Sequence, residues 1–337
     1  MLKKIIKQLL SFDFKKNVEN HLSLIDANIS KLCSEFSNYK NLMITLDFLE
    51  KFPGKTINEA KKSLFTNYPT PEGFLLSIQQ CNLKLLKDLK KECDSLKIKF
   101  WLHAGTLIGA LRHSGFIPWD DDVDIGMERE DFNILREHLK KNTNFILNEF
   151  YNQITCSRQY QLKYNNEVPC FIDIVIWDKS NAKTPAQIIE HRNNFNMIKK
   201  QMLKNFHDLK LPPVIDVGYY MLGMYDGMNK IEIDKILNTA VNSFSFDDTD
   251  NDYSLFYSIM NYPFPYPLML NNQFYPLKLV PFEDTAFYVP ADSEKYLEGY
   301  GDIYLPPNDI GKNSHIYAFL SKKNIIENFI SEVKNEQ

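Results

Sequence analysis

Residues 116–127 read FIPWDDDVDIGM and place aspartates at 120, 121, 122 and 124, between a Pro-Trp pair and an apolar stretch. Carboxylates at this density form either a solvated turn or a place where a divalent cation meets a phosphate. Side chains alternate along a strand with period two. An extended DVDIGM therefore sends Asp122 and Asp124 to one face and Val123 and Ile125 to the other, into a core. Two carboxylates so placed can share one Mg²⁺ or Mn²⁺, since hard cations take oxygen ligands and Mg²⁺ keeps waters for substrate phosphates. Without a cation the pair is costly, because like charges a few ångströms apart raise each other's pKa.

Two further segments supply what this cluster lacks. In FIDIVIW (171–177), Ile172, Ile174 and Ile176 share one face, and Asp173 is the polar exception on an otherwise apolar strand. A lone carboxylate there needs a partner. It caps a loop, pairs with an arginine, or joins Asp122 and Asp124 on one metal and one nucleophile if its strand lies beside theirs. Upstream, HAGTLIGALRH puts Gly105 and Thr106 just after a strand, followed by Gly109 and Arg112. A Gly-Thr turn opening a helix presents backbone amides to an anion, and an arginine can grip phosphate in bidentate fashion. A GTxxG alone is a weak signal; followed by the acidic strand pair it becomes fairly specific.

The elements that must position these residues read as an α/β core with helical additions. Residues 1–70 are helical and close at the NYPTPEG breaker (67–73). Residues 74–98 carry Leu75, Ile78, Leu83, Leu86 and Leu89 at helical spacing. Strands are expected at KFWLHAG, DDVDIGM and CFIDIVIWD. Helices are expected at TLIGALRHSG and at REDFNILREHLKKN, with Phe132, Leu135 and Leu139 inward. CFIDIVIWD is apolar at nearly every position, as a strand buried on both faces is. A helical insertion follows at about 183–245, and the acids of FDDTDNDY (246–253) read as a solvated loop. The Tyr/Phe/Pro-rich stretch from 261 to 290 packs as core and loops or forms an aromatic wall for a base or sugar. His103 reads as a packed histidine and Trp119 as a wedge over the turn.

The chain has 337 residues, 44% hydrophobic and 13% aromatic, enough for one large domain with a real core. Its net charge of −4 argues against a nucleic-acid binder held by phosphate attraction. The cysteines (33, 81, 93, 156 and 170) are odd in number and widely spaced, with no C-x-x-C pair, as suits reduced thiols in a cytoplasm. No apolar run approaches the roughly 20 residues of a membrane helix. The N-terminal MLKKIIKQLLSF is a poor signal peptide. It reads as an amphipathic helix with Leu2, Ile5, Ile6, Leu9 and Leu10 along one side. Such a helix packs on its own protein or a partner subunit, or attaches residues 1–12 peripherally to a membrane surface.

The run from Trp101 to Met127, WLHAGTLIGALRHSGFIPWDDDVDIGM, resembles the signature of the LicD/fukutin family, phosphotransferases with a nucleotidyltransferase-type fold. That signature is a Gly-Thr or Gly-Ser turn, an Arg-His pair, then Ile-Pro-Trp-Asp-x-Asp-x-Asp. FIDIVIWD resembles the family's following strand with a single aspartate, and YGDIYLPPNDIGKNSHIY its C-terminal segment. The resemblance covers about 72–178 and 280–317, leaving out the first 70 residues and the middle helices. It implies a nucleotidyltransferase-like mixed β-sheet core flanked by helices (α+β), spanning 71–325 with an N-terminal helical extension over 1–70.

It further implies Asp122, Asp124 and Asp173 as ligands of Mg²⁺ or Mn²⁺, with Asp173 metal-linked or the general base. Arg112, with His113 beside it, would meet donor phosphate above the Gly105-Thr106 turn. Lys312 and His315 would face donor or acceptor phosphate, although NDIGKNSH stands where the family carries a basic pair. Asp120 would support the turn, while Asp121 would point outward and be structural. The implied reaction moves a phosphocholine- or phosphopolyol-like group from a CDP-linked donor to a sugar hydroxyl of a glycan or lipid-linked oligosaccharide, releasing CMP. The implied place is the cytoplasmic face of the membrane. Alternatives are nucleotidyl transfer to a sugar or protein, and a non-catalytic subunit of a glycan-assembly complex.

Overall fold

In a computed structural model of the chain, residues 50–66, 70–152, 157–180, 254–257, 269–304 and 315–335 are described, with isolated positions between 184 and 239. The chain divides into two units, Met1–Tyr68 with Tyr304–Asp309, and Pro69–Ile303 with Ile310–Gln337. In the first, helix α1 (Ile57–Thr66) is opened by a reciprocal cap. Thr56 donates its backbone N–H and its hydroxyl to Glu59 Oε2, both at 2.8 Å, and the Glu59 N–H returns to Thr56 Oγ1 at 3.3 Å. The expected amphipathic helix at 1–12 lies outside the described residues. So do the acids of 246–253 and nearly all of the expected insertion at 183–245.

The second unit begins with α2 (Gly73–Leu96), which starts where the proline-glycine breaker ends. There follow β1 (Trp101–Leu102), α3 (Ala104–His113), β2 (Asp124–Glu128), α4 (Arg129–Leu139), β3 (Phe145–Asn152), β4 (Ser157–Tyr164) and β5 (Phe171–Ser180). After the middle segment come β6 (Ser254–Tyr257), β7 (Met269–Leu270), α5 (Asn271–Phe274), β8 (Lys278–Phe282), β9 (Thr285–Val289), α6 (Ser293–Tyr296), α7 (Ile316–Leu320) and α8 (Lys323–Asn335). Helix α4 buries Phe132, Leu135 and Leu139, as their spacing predicts. Glu130 and Asp131 in its first turn, and Arg136 and His138 in its last, suit the helix dipole.

The main sheet runs β1-β2-β5-β4-β3, with β6 and β7 continuing from the far end of β5. Among the described strands only β2 and β5 pair in parallel; the other pairs are antiparallel. This mixed sheet flanked by helices is the expected α+β class. Strand β5 is central. It meets β2 on one edge, and on the other meets β4 near its start and β6 near its end. That position explains its near-continuous apolar sequence.

The structure departs from the sequence reading in two places. The hairpin β3–β4 was not expected between the helix at 129 and the strand at 171, and β2 starts at Asp124, so residues 120–123 are loop. Trp101 lies across β2 because Gly126 has no side chain: a Cβ there would sit 2.3 Å from the indole Nε1. Trp101 packs edge-on against Phe274 (4.7 Å) and Trp177 stacks on Tyr296 (4.9 Å). Phe274, Phe282 and Phe287 of the aromatic stretch are buried in the core, while Leu279 is exposed.

Candidate active site

The parallel register of β2 and β5 sets Asp124 directly beside Asp173. Three backbone contacts fix the pair at the strand starts. Asp173 donates its N–H to Val123 O at 2.9 Å, and His103 donates to Asp124 O at 3.0 Å. Asp124 donates its own N–H to Thr106 Oγ1 at 2.9 Å. Thr106 is buried in the first turn of α3, so its hydroxyl serves to hold the first residue of β2. Gly105 leaves room for Asp120, whose Oδ2 would lie 2.9 Å from a Cβ at that position.

The loop before β2 gathers three more acids. One carboxylate oxygen each from Asp120, Asp121 and Asp122 lie within 4.8 Å of one another. Helix α2 clamps the loop backbone from beneath: Gln79 Nε2 donates to Asp120 O (2.9 Å) and Ile117 O (3.3 Å), and Asn82 Nδ2 to Asp121 O (3.0 Å). Sequence reading missed both amides. Their signal was two polar residues inside the buried stripe that holds Ile78 and Cys81.

Asp120 closes the turn as expected, its N–H donating to Ile117 O at 2.9 Å, and its carboxyl also meets Asp122 within the acid cluster. Asp121 does not point outward. It is 3% exposed and holds the start of α7, accepting from Ile316 N at 2.6 Å and lying 3.2 Å from His315 Nδ1. Parity puts Asp120 on the face of Asp122 and Asp124, but it misplaces Asp121 because the strand begins only at Asp124. Through Asp121, His315 enters the site, its Nδ1 3.7 Å from Asp122 Oδ2.

These acids repel one another in a desolvated place. Burial first, then Asp122 and Asp121, hold the Asp120 carboxyl well above the carboxylate range. Burial, then Asp122 and Asp173, do the same to Asp124. Burial raises Asp122 against the opposing pull of His315. Asp173 is pushed up to about 7, by burial and then by Asp122, against hydrogen bonds from Gln161 and Gln159. Burial opposes a charge on His315, but Asp121 and then Asp122 raise its pKa on balance. Asp173 Oδ1 is buried with no hydrogen-bond partner among the described residues. An all-oxygen donor set with mutual repulsion and one unengaged buried oxygen fits a hard divalent cation.

The other expected site residues are not all gathered here. Arg112 and His113 stand at the far end of α3, roughly 12 Å along the helix from Ala104. Arg112 donates from Nε to His113 Nε2 at 3.0 Å and from Nη1 to the Ile303 carbonyl. His113 is pushed down to about 4 by burial and then by Arg112. A donor would have to lie along α3 to meet both this pair and the acids. Lys312 lies outside the described residues. His103 is a packed histidine, its Nδ1 2.5 Å from the Tyr296 hydroxyl and its pKa pushed down to about 3 by burial. Trp119 is half-buried against the core, as a wedge over the turn would be. Among the described residues Cys81, Cys93 and Cys170 are buried free thiols, and no helix is long and apolar enough to cross a membrane.

Residues 97–212 match the family described as LicD/FKTN/FKRP, nucleotidyltransferase domain. The chain is 36% identical over 109 residues to the lipopolysaccharide cholinephosphotransferase LicD of Haemophilus influenzae, a stretch covering 28% of this chain and 41% of that protein. It is 38% identical over 55 residues to the human ribitol 5-phosphate transferase FKRP, covering 15% and 11%. It is 30% identical over 106 residues to the mouse ribitol-5-phosphate transferase FKTN, covering 26% and 23%. The matched stretches thus span less than half the length of each of these relatives.

Proposed function

We propose that this chain, whose residues 97–212 match the LicD/FKTN/FKRP nucleotidyltransferase domain, is a metal-dependent phosphotransferase. It moves a substituted phosphate, phosphocholine- or phosphopolyol-like, from a CDP-linked donor to a sugar hydroxyl of a cell-surface glycan. The observation that carries this reading is the set Asp120, Asp122, Asp124 and Asp173, each with a raised pKa, converging where β2 meets β5. Relatives named for transfer of choline phosphate and ribitol phosphate supply the class of cargo.

Asp122, Asp124 and Asp173 would hold Mg²⁺ or Mn²⁺, with Asp120 beside them. The ion, when bound, neutralises charge on the donor's pyrophosphate. The acceptor hydroxyl oxygen forms a bond to the phosphorus bearing the substituent. The bond from that phosphorus to the bridging oxygen breaks, and CMP leaves with the electron pair. The hydroxyl proton passes to the carboxylate of Asp173, which stands beside the ion or within its ligand set. Arg112 steadies the donor from the other end of α3, and His315 keeps the loop carboxylates in place through Asp121. Catalysis of this kind is mainly positioning and electrostatics.

The test is to incubate purified protein and Mn²⁺ with CDP-choline, CDP-ribitol and CDP-glycerol, with and without a lipopolysaccharide or teichoic-acid acceptor. Acceptor-dependent CMP release and a glycan heavier by the substituted phosphate are expected. A product carrying the nucleotide would establish nucleotidyl transfer instead. No turnover with any donor would leave a binding subunit as the better reading.

A further inference from the structure

The row of side chains that begins with Asp124 and Asp173 does not stop at β5. In register across the sheet it continues to Gln161 on β4 and Asn148 on β3. Directly paired residues on neighbouring strands send their side chains to one face. Gln161 is therefore the next group on the acid face, and it is 8% exposed. A buried amide on that face needs a partner, and it has one. Gln161 and Gln159, two residues earlier on the same face of β4, both hydrogen-bond to the Asp173 carboxylate. Neither residue belongs to the acidic or glycine-bearing motifs.

From this geometry we infer that Gln161, assisted by Gln159, is the positioning residue of Asp173. Two amide donors arriving from the β4 side engage the carboxylate there and fix the plane of the group. Asp173 Oδ1 is left buried and unengaged among the described residues. Asp122 and Asp124 both press their charge on Asp173 or receive its charge, so the carboxylate is held within reach of the other acids. A carboxylate that must meet a cation gains from having its rotation removed beforehand, because outer partners of a ligand set its orientation and basicity. The amide does this without adding charge to a site already rich in it. A lysine or arginine at 161 would neutralise Asp173, whereas a glutamine orients it and leaves its charge available.

The inference rests on the metal-dependent reading, and a double-mutant cycle separates the two. Mn²⁺ binding is measured by electron paramagnetic resonance for wild type, Gln161→Met, Asp173→Asn and the double variant, with CMP release followed in parallel. Gln161→Met is expected to bind Mn²⁺ about tenfold to a hundredfold more weakly. Its kcat is expected to fall at saturating Mn²⁺ while KM for the donor stays within about twofold, and its Tm to stay near that of wild type. In the Asp173→Asn background the same change is expected to cost nothing further, because its route through Asp173 is gone. An equal loss in both backgrounds, or no loss in either, overturns the positioning role. Circular dichroism and Tm identify a Gln161→Met protein that fails to fold; Gln161→Leu, which likewise lacks the donor and adds no charge, then takes its place in the cycle. A wild type that neither binds Mn²⁺ nor releases CMP overturns the functional reading, and this inference with it.

Discussion

The two ends of the β2–β5 pair treat charge in opposite ways. At the end where β2 runs into α4, Asp178, Glu128 and Glu130 each meet a cation. Arg129 grips Asp178 with both arms of its guanidinium, Nη2 to Oδ2 at 2.9 Å. Lys179 lies 3.2 Å from Glu128 Oε2 and 2.7 Å from Glu130 Oε2. At the other end, one five-residue strand away, Asp120, Asp122, Asp124 and Asp173 stand together. Among the described residues the cation within ion-pair distance of them is His315, 3.7 Å from Asp122. The same two strands can therefore host neutralised acids. Under the proposed reading, a bound divalent cation would supply the positive charge at the acid end.

The largest effect that can sharpen this contrast comes from neutralising one acid at each end. Asp124→Asn is expected to cut transfer by about a hundredfold or more while leaving Tm unchanged or raised, since it removes repulsion. Asp178→Asn is expected to do the reverse. It should lower stability by roughly 2–3 kcal/mol, less than a fully buried pair because Arg129 is partly exposed, and leave turnover per folded molecule intact. Turnover assays with thermal denaturation decide. Equal losses of activity would dissolve the distinction between the ends.

A smaller effect appears in the pH dependence of stability. Asp173 keeps its proton to about pH 7 in the fold, against an ordinary 3.8. In that window the folded state binds more protons than the unfolded chain, so ionising Asp173 costs stability progressively as pH rises from about 4 to about 7. Asp173→Asn never ionises. Its Tm in EDTA is expected to gain on wild type across that window, by several degrees or on the order of 2 kcal/mol, and to run parallel above it. Mn²⁺ given to wild type should close the gap. A difference that stays flat from pH 4 to 8 would mean Asp173 is already compensated.

How much of this was legible in the sequence depended on whether one periodicity governed the residues. Asp173 stood out because Ile172, Ile174 and Ile176 share a face, and β5 is a strand throughout. Asp122 and Asp124 do come together, yet Asp122 is in a loop, so the period-two argument reached them for a partly wrong reason. The same argument failed for Asp121, where loop geometry, not alternation, sets direction. Gln79 and Asn82 were hidden in a helical stripe whose apolar neighbours drew the attention, and only the tertiary fold reveals which carbonyls they serve. Strand β4 did carry a signal, with the apolar Tyr160, Leu162 and Tyr164 alternating with Gln161 and Lys163. The motif showed Arg112 as a phosphate-binding type. Its distance from the acids follows from the length of α3, which a motif does not encode.

The most direct measurement is an equilibrium titration of Mn²⁺ into metal-stripped wild type, Asp122→Asn, Asp124→Asn and Asp178→Asn, read by the loss of the free-ion paramagnetic signal. A site in wild type and in Asp178→Asn, lost or weakened by about a hundredfold or more in the other two variants, is the predicted result. Wild type that binds no Mn²⁺, or binding indifferent to Asp122 and Asp124, would contradict it.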